Sequence, residues 1–288
     1  MMKCNLCPRG CGVSRRSGSL GFCGMPEDIY IARAALHFGE EPCISGTKGS
    51  GTVFFSGCNL RCVFCQNFEI SAEKHGRKIS VIRLAEIFSE LEAQGAHNIN
   101  LVTPTHYSDK IITAIEIARK NGLQIPVVYN CGGYESADTI KALKGTVDIY
   151  LTDFKYVSPQ LSGKYSNAPD YFKTAKKALA EMVHSCPEPV FENGVMKSGV
   201  IVRHLVLPGC TDDSKRVLRY LYNEYGNKIY ISIMSQYTPM NGRFAELCRP
   251  LRRSEYDDVA DFAADLGIEN AFVQDGDSTG KEYIPEWD

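Results

Sequence analysis

From Gly51 onward the chain alternates short β-rich apolar runs with longer stretches whose apolar residues recur at helical spacing. The runs Thr52–Ser56, Asn98–Thr103, Val127–Asn130, Val147–Thr152, Val200–Leu207, Ile229–Met234 and Ala271–Gln274 are predicted strands. Between them Val81, Leu84, Phe88 and Leu91 form an apolar stripe behind a Ser80 cap, and Ile111, Ile115 and Ala118 form a second. Val217, Leu218, Leu221 and Tyr225 make a third. Val259, Phe262, Ala263 and Leu266 make a fourth, opened by Ser254 with Asp257 three residues on, and a further helix is expected over Tyr171–Met182. These stripes are core faces. Strand–helix repetition implies right-handed βαβ units and a parallel sheet, and leaves an open sheet and a barrel equally possible. The loop from Phe154 to Pro169 and the stretch Cys186–Ser198 are expected to leave the sheet. Residues 1–46 have another texture, rich in Cys, Gly, Arg and Pro with little helical period, so the chain divides into a Cys-rich segment 1–46 and an α/β domain 47–288.

With 288 residues, 44% of them hydrophobic, the chain can bury one large α/β core. A net charge of −2 and no long Lys/Arg run exclude a nucleic-acid binder, which relies on neutralising phosphates. Met1-Met2-Lys3-Cys4-Asn5 lacks the apolar stretch of a signal peptide, and no segment reaches the roughly 18 apolar residues of a membrane span. A soluble, cytoplasmic protein without a membrane partner is expected.

Cysteine changes the picture. Of 12, eight lie in the first 65 positions, in tight clusters that suit metal ligation in a reducing compartment. Cys131, Cys186, Cys210 and Cys248 stand alone and are expected to act as small hydrophobes. The central cluster is Cys58-Asn59-Leu60-Arg61-Cys62-Val63-Phe64-Cys65, directly after the strand Val53-Phe54-Phe55 and a Ser-Gly turn. An iron–sulfur cubane is usually held by four thiolates. Three leave one iron open, as a catalytic metal centre requires. A zinc knuckle or a redox pair at Cys62 and Cys65 is the structural alternative. Cys4, Cys7, Cys11 and Cys23 supply four more thiolates, enough for tetrahedral zinc or a second, fully ligated cluster, with Cys43 a substitute ligand.

The C-x3-C-x2-C spacing with Phe64 before the last Cys resembles the signature of the radical S-adenosylmethionine (SAM) superfamily. Gly49–Cys58, Asp153-Phe154-Lys155 and Arg203-His204-Leu205-Val206-Leu207-Pro208-Gly209 followed by Thr211-Asp212-Asp213 resemble pyruvate formate-lyase activating enzymes over residues about 49 to 240. Cys4-Asn5-Leu6-Cys7-Pro8-Arg9-Gly10-Cys11-Gly12, Val102–His106 and Pro126–Asn130 resemble the subgroup of activating-enzyme homologues with a Cys-rich N-terminus. The resemblance implies a partial (β/α)6 radical SAM barrel with a short Cys-rich N-terminal extension and its site at the C-terminal strand ends. It implies a [4Fe-4S] cluster on Cys58, Cys62 and Cys65, SAM as cofactor, and an electron donor such as flavodoxin or ferredoxin. Asp153 then accepts from the SAM ribose or ammonium, Lys155 reaches its carboxylate, and the Arg203 fork suits a planar carboxylate. The family's Gly-Gly-Glu after the second barrel strand is replaced by Thr103-Pro104-Thr105-His106, where the Thr103 and Thr105 hydroxyls and neutral His106 can accept from the ammonium. Asn130, with Gly132 and Gly133 beyond it, and Gln236 with Tyr237 face the same mouth. His37, His75, His97, His184 and His204 are expected to be structural or exposed. The Cys insert that many glycyl-radical activases carry after the signature is absent.

Three functions follow: an activase acting on a protein glycine, a radical modification of another protein side chain or small molecule, and an iron–sulfur electron-transfer protein without SAM chemistry. The third has no use for barrel strands bearing Asp153, Lys155 and Arg203.

Overall fold

The computed structural model describes residues 3–239 and 244–274; the extreme ends of both sequence segments lie outside them. The strands are β1 (Ile29–His37), β2 (Ser50–Phe55), β3 (Arg77–Ile79), β4 (Ile99–Val102), β5 (Val127–Cys131), β6 (Ile149–Asp153), β7 (Val190–Glu192), β8 (Val195–Leu205), β9 (Tyr230–Met234) and β10 (Ala271–Val273). The helices are α1 (Pro42–Ser45), α2 (Phe68–Ser71), α3 (Val81–Ala93), α4 (Ser108–Lys120), α5 (Ala137–Ala142), α6 (Pro159–Ser166), α7 (Tyr171–Ser185), α8 (Thr211–Tyr225) and α9 (Arg253–Asp265).

The sheet order is β10-β9-β8-β6-β5-β4-β2-β1-β3, with β7 paired to β8. From β2 to β10 all neighbours are parallel, while β1 and β3 add antiparallel at the β2 side. All seven sequence-predicted strands are present, and helices α3, α4, α5, α7, α8 and α9 separate them in the expected alternation. Laid flat, β2 and β10 would stand roughly 29 Å apart at the usual strand spacing. Instead Phe54 of β2 and Phe272 of β10 line one cavity, so the sheet curls into a partial barrel.

Strand alternation explains the two faces. Tyr129, Tyr150, Val202, Ile231 and Ile233 point outward into the helix-covered core with Phe88, Ile115, Leu179 and Leu218. Val128, Ile149, Leu151 and Ile201 point inward and pack against Cys43 and Ile44 from the segment after β1. That segment is fastened inside the curl: Asn98 donates through Nδ2 to the Ile44 carbonyl at 2.7 Å and accepts through Oδ1 from Ser50 Oγ at 2.6 Å. The sheet therefore begins well before residue 47.

Local differences have local causes. The Phe154–Pro169 loop contains α6, started by Pro159 and capped by Ser158 Oγ, which accepts from Leu161 N–H. The Cys186–Ser198 stretch holds a hairpin that turns at Asn193 and Gly194, both with positive φ, and joins β7 to β8. Ser254 lies within α9 instead of capping it; the helix starts at Arg253, and the Glu255 carboxylate accepts from Arg252 N–H at 3.0 Å.

Candidate active site

The cysteine loop leaves β2 through Gly57, whose φ of +83° favours glycine. Asn59 Nδ2 donates to the Tyr134 carbonyl (2.7 Å) and Val63 N–H to that of Tyr165 (2.9 Å), tying the loop to the strand ends and to α6. Protein donors reach each of the three thiols. Ser166 Oγ donates to Cys62 Sγ at 3.0 Å, Leu60 N–H to Cys58 Sγ at 3.4 Å, and Ser71 Oγ lies 3.3 Å from Cys65 Sγ. Burial pushes the Cys62 thiol up to about 12, with Lys155 opposing and Cys58 and Cys65 adding to the rise; burial raises Cys65 too. The Cys62 and Cys65 thiols therefore hold their protons until a metal displaces them.

Asp153 and Lys155 share a face because a strand has period two. Phe154 between them points out and stacks on Tyr220 at 5.3 Å. Lys155 Nζ donates to Asp153 Oδ2 at 2.5 Å. Arg203, two strand positions before Leu205 on the neighbouring β8, donates through Nε to Asp153 Oδ1 (3.2 Å), through Nη1 to Glu40 Oε2 (3.1 Å) and through Nη2 to Asn130 Oδ1 (2.5 Å). Glu40 Oε1 accepts from Asn100 Nδ2 (2.8 Å) and Asn130 Nδ2 (3.3 Å). Burial alone would raise the Asp153 carboxyl, but Lys155 and Arg203 hold it below its ordinary value. Burial would lower both cations, and Asp153 raises them. The result is a partly buried network in which Asp153, Lys155 and Arg203 hold one another charged.

Cys62, Phe64 and Cys65 open into the same cavity as Asp153, Lys155, Arg203 and Asn130, a space of about 640 Å³. Gln236 lines it as well, whereas Tyr237 is buried and donates to the Leu247 carbonyl at 2.6 Å. Thr103, Thr105 and His106 do not line it. Thr105 Oγ1 donates to buried Glu135 (2.8 Å), the His106 ring bonds the Ser56 carbonyl (2.7 Å), and burial lowers His106 to about 3, keeping it neutral. Glycines 132 and 133 serve packing within the protein: a Cβ on Gly133 would stand 2.0 Å from the Asp153 carbonyl oxygen, and one on Gly132 2.9 Å from Leu60. His204 is likewise structural, its Nδ1 bonded to the Phe154 carbonyl at 2.8 Å.

Glu40, Glu41 and Asn100 belong to the site and escape the sequence reading. Asn100 had a signal, a polar residue inside the apolar run Ile99–Val102. Glu40 and Glu41 look like surface charges in sequence and reach the cavity only because the segment after β1 folds into the curl. The donor set fits a cluster: three thiols on one short loop, two at the cavity wall, beside charged groups able to hold a small zwitterion. Among the described residues no three Cys, His, Asp or Glu converge on a single ion. A cubane does not ask for that, since each thiolate takes a different iron.

A curled parallel sheet with a three-thiol loop at its C-terminal edge defines an α/β protein built for a thiolate-held cluster and a small charged ligand. Residues 52–221 match the Radical SAM superfamily, and the chain belongs to that family, whose membership implies a [4Fe-4S] cluster and SAM. Two Methanocaldococcus jannaschii proteins are similar. MJ0674 is 31% identical over 246 residues, covering 82% of this chain and 66% of its own length. MJ0808 is 25% identical over 247 residues, covering 79% and 68%. The chain thus spans about two thirds of the length of these relatives. Streptococcus suis SuiB, solved bound to S-adenosylmethionine, shares the fold with a TM-score of 0.50 at 12% identity, over 76% of this chain and 48% of that one. Among the described residues no helix is long and apolar enough to cross a membrane.

Proposed function

We propose that the protein is a radical SAM enzyme that abstracts a hydrogen atom from a protein or small-molecule substrate. The observation that carries this reading is the single cavity joining Cys62, Phe64 and Cys65 to Asp153, Lys155, Arg203 and Asn130. Its volume is in the range of sites that enclose a small ligand. A cluster held by Cys58, Cys62 and Cys65 would supply, with SAM and one electron, the reductive cleavage of the sulfonium bond, chemistry that belongs to the cofactor. This chain's residues bind, orient and shield. Lys155 suits the SAM carboxylate, and Asp153, held ionised by its two cations, suits the ribose hydroxyls or the ammonium. Arg203 has its fork filled by the protein's own carboxylates and Asn130, and so fixes where Asp153 points. Phe54, Val102 and Phe272 exclude water from the space in which a radical would form.

The electron calls for a one-electron donor of the flavodoxin or ferredoxin type. A protein glycine, the target of the activating enzymes that the motifs resemble, is one candidate substrate. The test is direct. Anaerobically reconstituted protein with dithionite and SAM should release 5′-deoxyadenosine, and Ala at any one of Cys58, Cys62 or Cys65 should abolish it. Undiminished product from the triple Ala variant would overturn the reading.

A further inference from the structure

The second cysteine set lies outside the SAM cavity. From Lys3 to Asp28 the only regular structure is the three-residue turn Arg15–Ser17, and the buried apolar side chains are only Cys23 and Met25. Such a segment has no hydrophobic core of its own to order it. Yet its backbone is sharply organised around four cysteines, all reduced. Cys4 N–H donates to the Val13 carbonyl (2.9 Å), Gly12 N–H to that of Cys4 (3.1 Å) and Gly10 N–H to that of Cys7 (3.1 Å). Gly10, Gly12 and Gly24, each beside a cysteine or between two, take positive φ.

These turns aim backbone N–H groups at sulfur. Phe22 N–H donates to Cys11 Sγ at 3.3 Å, and the Arg9 and Met25 amides, each two residues beyond the cysteine, hydrogen-bond Cys7 and Cys23. The SAM-cluster loop does the same: Leu60 N–H serves Cys58, and the Asn67 amide serves Cys65. N–H···S bonds oppose the rise that burial imposes on the Cys7 and Cys23 thiols. The four sulfurs are close enough to act on one another, Cys7 with Cys11 and Cys23, and Cys23 with Cys4 and Cys11. Cationic side chains lie along the same segment. The Arg9 and Arg61 guanidinium groups lie over the Phe22 ring at 3.8 and 4.9 Å, Arg15 acts on Cys23, and the Lys74 side chain lies against Gly24.

We propose that Cys4, Cys7, Cys11 and Cys23 hold a second metal centre, a fully ligated iron–sulfur cluster. Like Cys58, Cys62 and Cys65, these thiols do not converge on one ion. Four thiolates are the complement that closes a cubane, and their backbone N–H···S bonds repeat those of the Cys58–Cys65 loop. The centre stands against the back of the SAM-cluster loop. A Cβ on Gly57, next to Cys58, would lie 3.0 Å from the Cys23 carbonyl oxygen, and Arg9 Nε donates to the Asn59 carbonyl at 2.8 Å. Ordering the N-terminal segment therefore braces the loop that carries Cys58.

The full chain with Cys58, Cys62 and Cys65 all changed to Ala, reconstituted anaerobically with iron and sulfide, tests this without any SAM chemistry. It should keep about half the wild-type iron and acid-labile sulfide, and adding Cys7→Ser and Cys11→Ser should remove that remainder. The reverse variant, Cys7→Ser/Cys11→Ser alone, should lose the other half. A folded triple-Ala variant without metal overturns the site; stoichiometric zinc in place of iron overturns the cluster. If the triple variant does not fold, equal iron in wild type and Cys7→Ser/Cys11→Ser overturns the proposal.

Discussion

Asp153 is one carboxylate serving two cations, with Lys155 on one oxygen and Arg203 on the other. Removing one member of such a network leaves charge without a partner, and for a buried pair the loss runs to about 3–5 kcal/mol. Asp153→Asn keeps the shape and deletes the charge, so it tests function apart from volume. The variant should retain the visible absorbance of the cluster, lose about 2–3 kcal/mol of stability because partial exposure moderates the cost, and bind SAM at least tenfold more weakly. Equilibrium dialysis on the folded fraction separates the two roles. Affinity per folded molecule equal to wild type would make Asp153 a structural residue only.

At the scale of elements, β6 shows what a sequence can and cannot disclose. Strands buried on both faces are dense in apolar residues, so β4, β5, β6, β8 and β9 stand out as runs, and Asp153 and Lys155 are legible as inward charges at the end of one. The same logic fails for β1. Ile29–His37 is rich in Ala and carries Arg33, and it becomes a strand through its pairing with β2, a tertiary effect. Thr105 and His106 sit after β4 as expected, but the turn there carries both into the core beside Ser56 and Glu135, a direction no spacing rule gives. Element contacts also explain Gly133, on the turn after β5. Its φ is +77° and a Cβ would strike the Asp153 carbonyl, whereas Gly145, at φ +79°, has open space around it. Gly145→Ala should therefore cost about 1 kcal/mol, the backbone term alone, and Gly133→Ala more than about 2 kcal/mol. Chemical denaturation of the two variants checks this; equal losses would mean that contact with β6 is not what requires glycine.

The molecule as a whole closes its curled sheet around an uneven set of charges. Asp153, Glu40 and Glu41 face Lys155 and Arg203 across the cavity, and Glu41 is the carboxylate left over, its Oε2 buried without a hydrogen-bond partner. Burial raises the Glu41 carboxyl, with Arg203 opposing and Glu40 reinforcing the rise, so proton uptake relieves the surplus charge. The proposed ligand brings a positive sulfonium. Seating it in the cavity should favour ionised Glu41, and SAM affinity should increase as pH rises toward the raised pKa, because binding expels the proton that folding had bound. Glu41→Gln removes that coupling. Without SAM the variant should be as stable as wild type or more so, since the buried charge that burial and Glu40 disfavour is lost. With SAM at about a hundred times its dissociation constant, wild type should gain roughly 2.7 kcal/mol. At that same SAM concentration the variant should gain less, with a flat pH dependence. Thermal denaturation with and without SAM at two pH values measures both effects. An unchanged SAM shift in Glu41→Gln, with the wild-type pH dependence intact, would mean that Glu41 only packs the inside of the barrel and that the ligand's charge is met elsewhere.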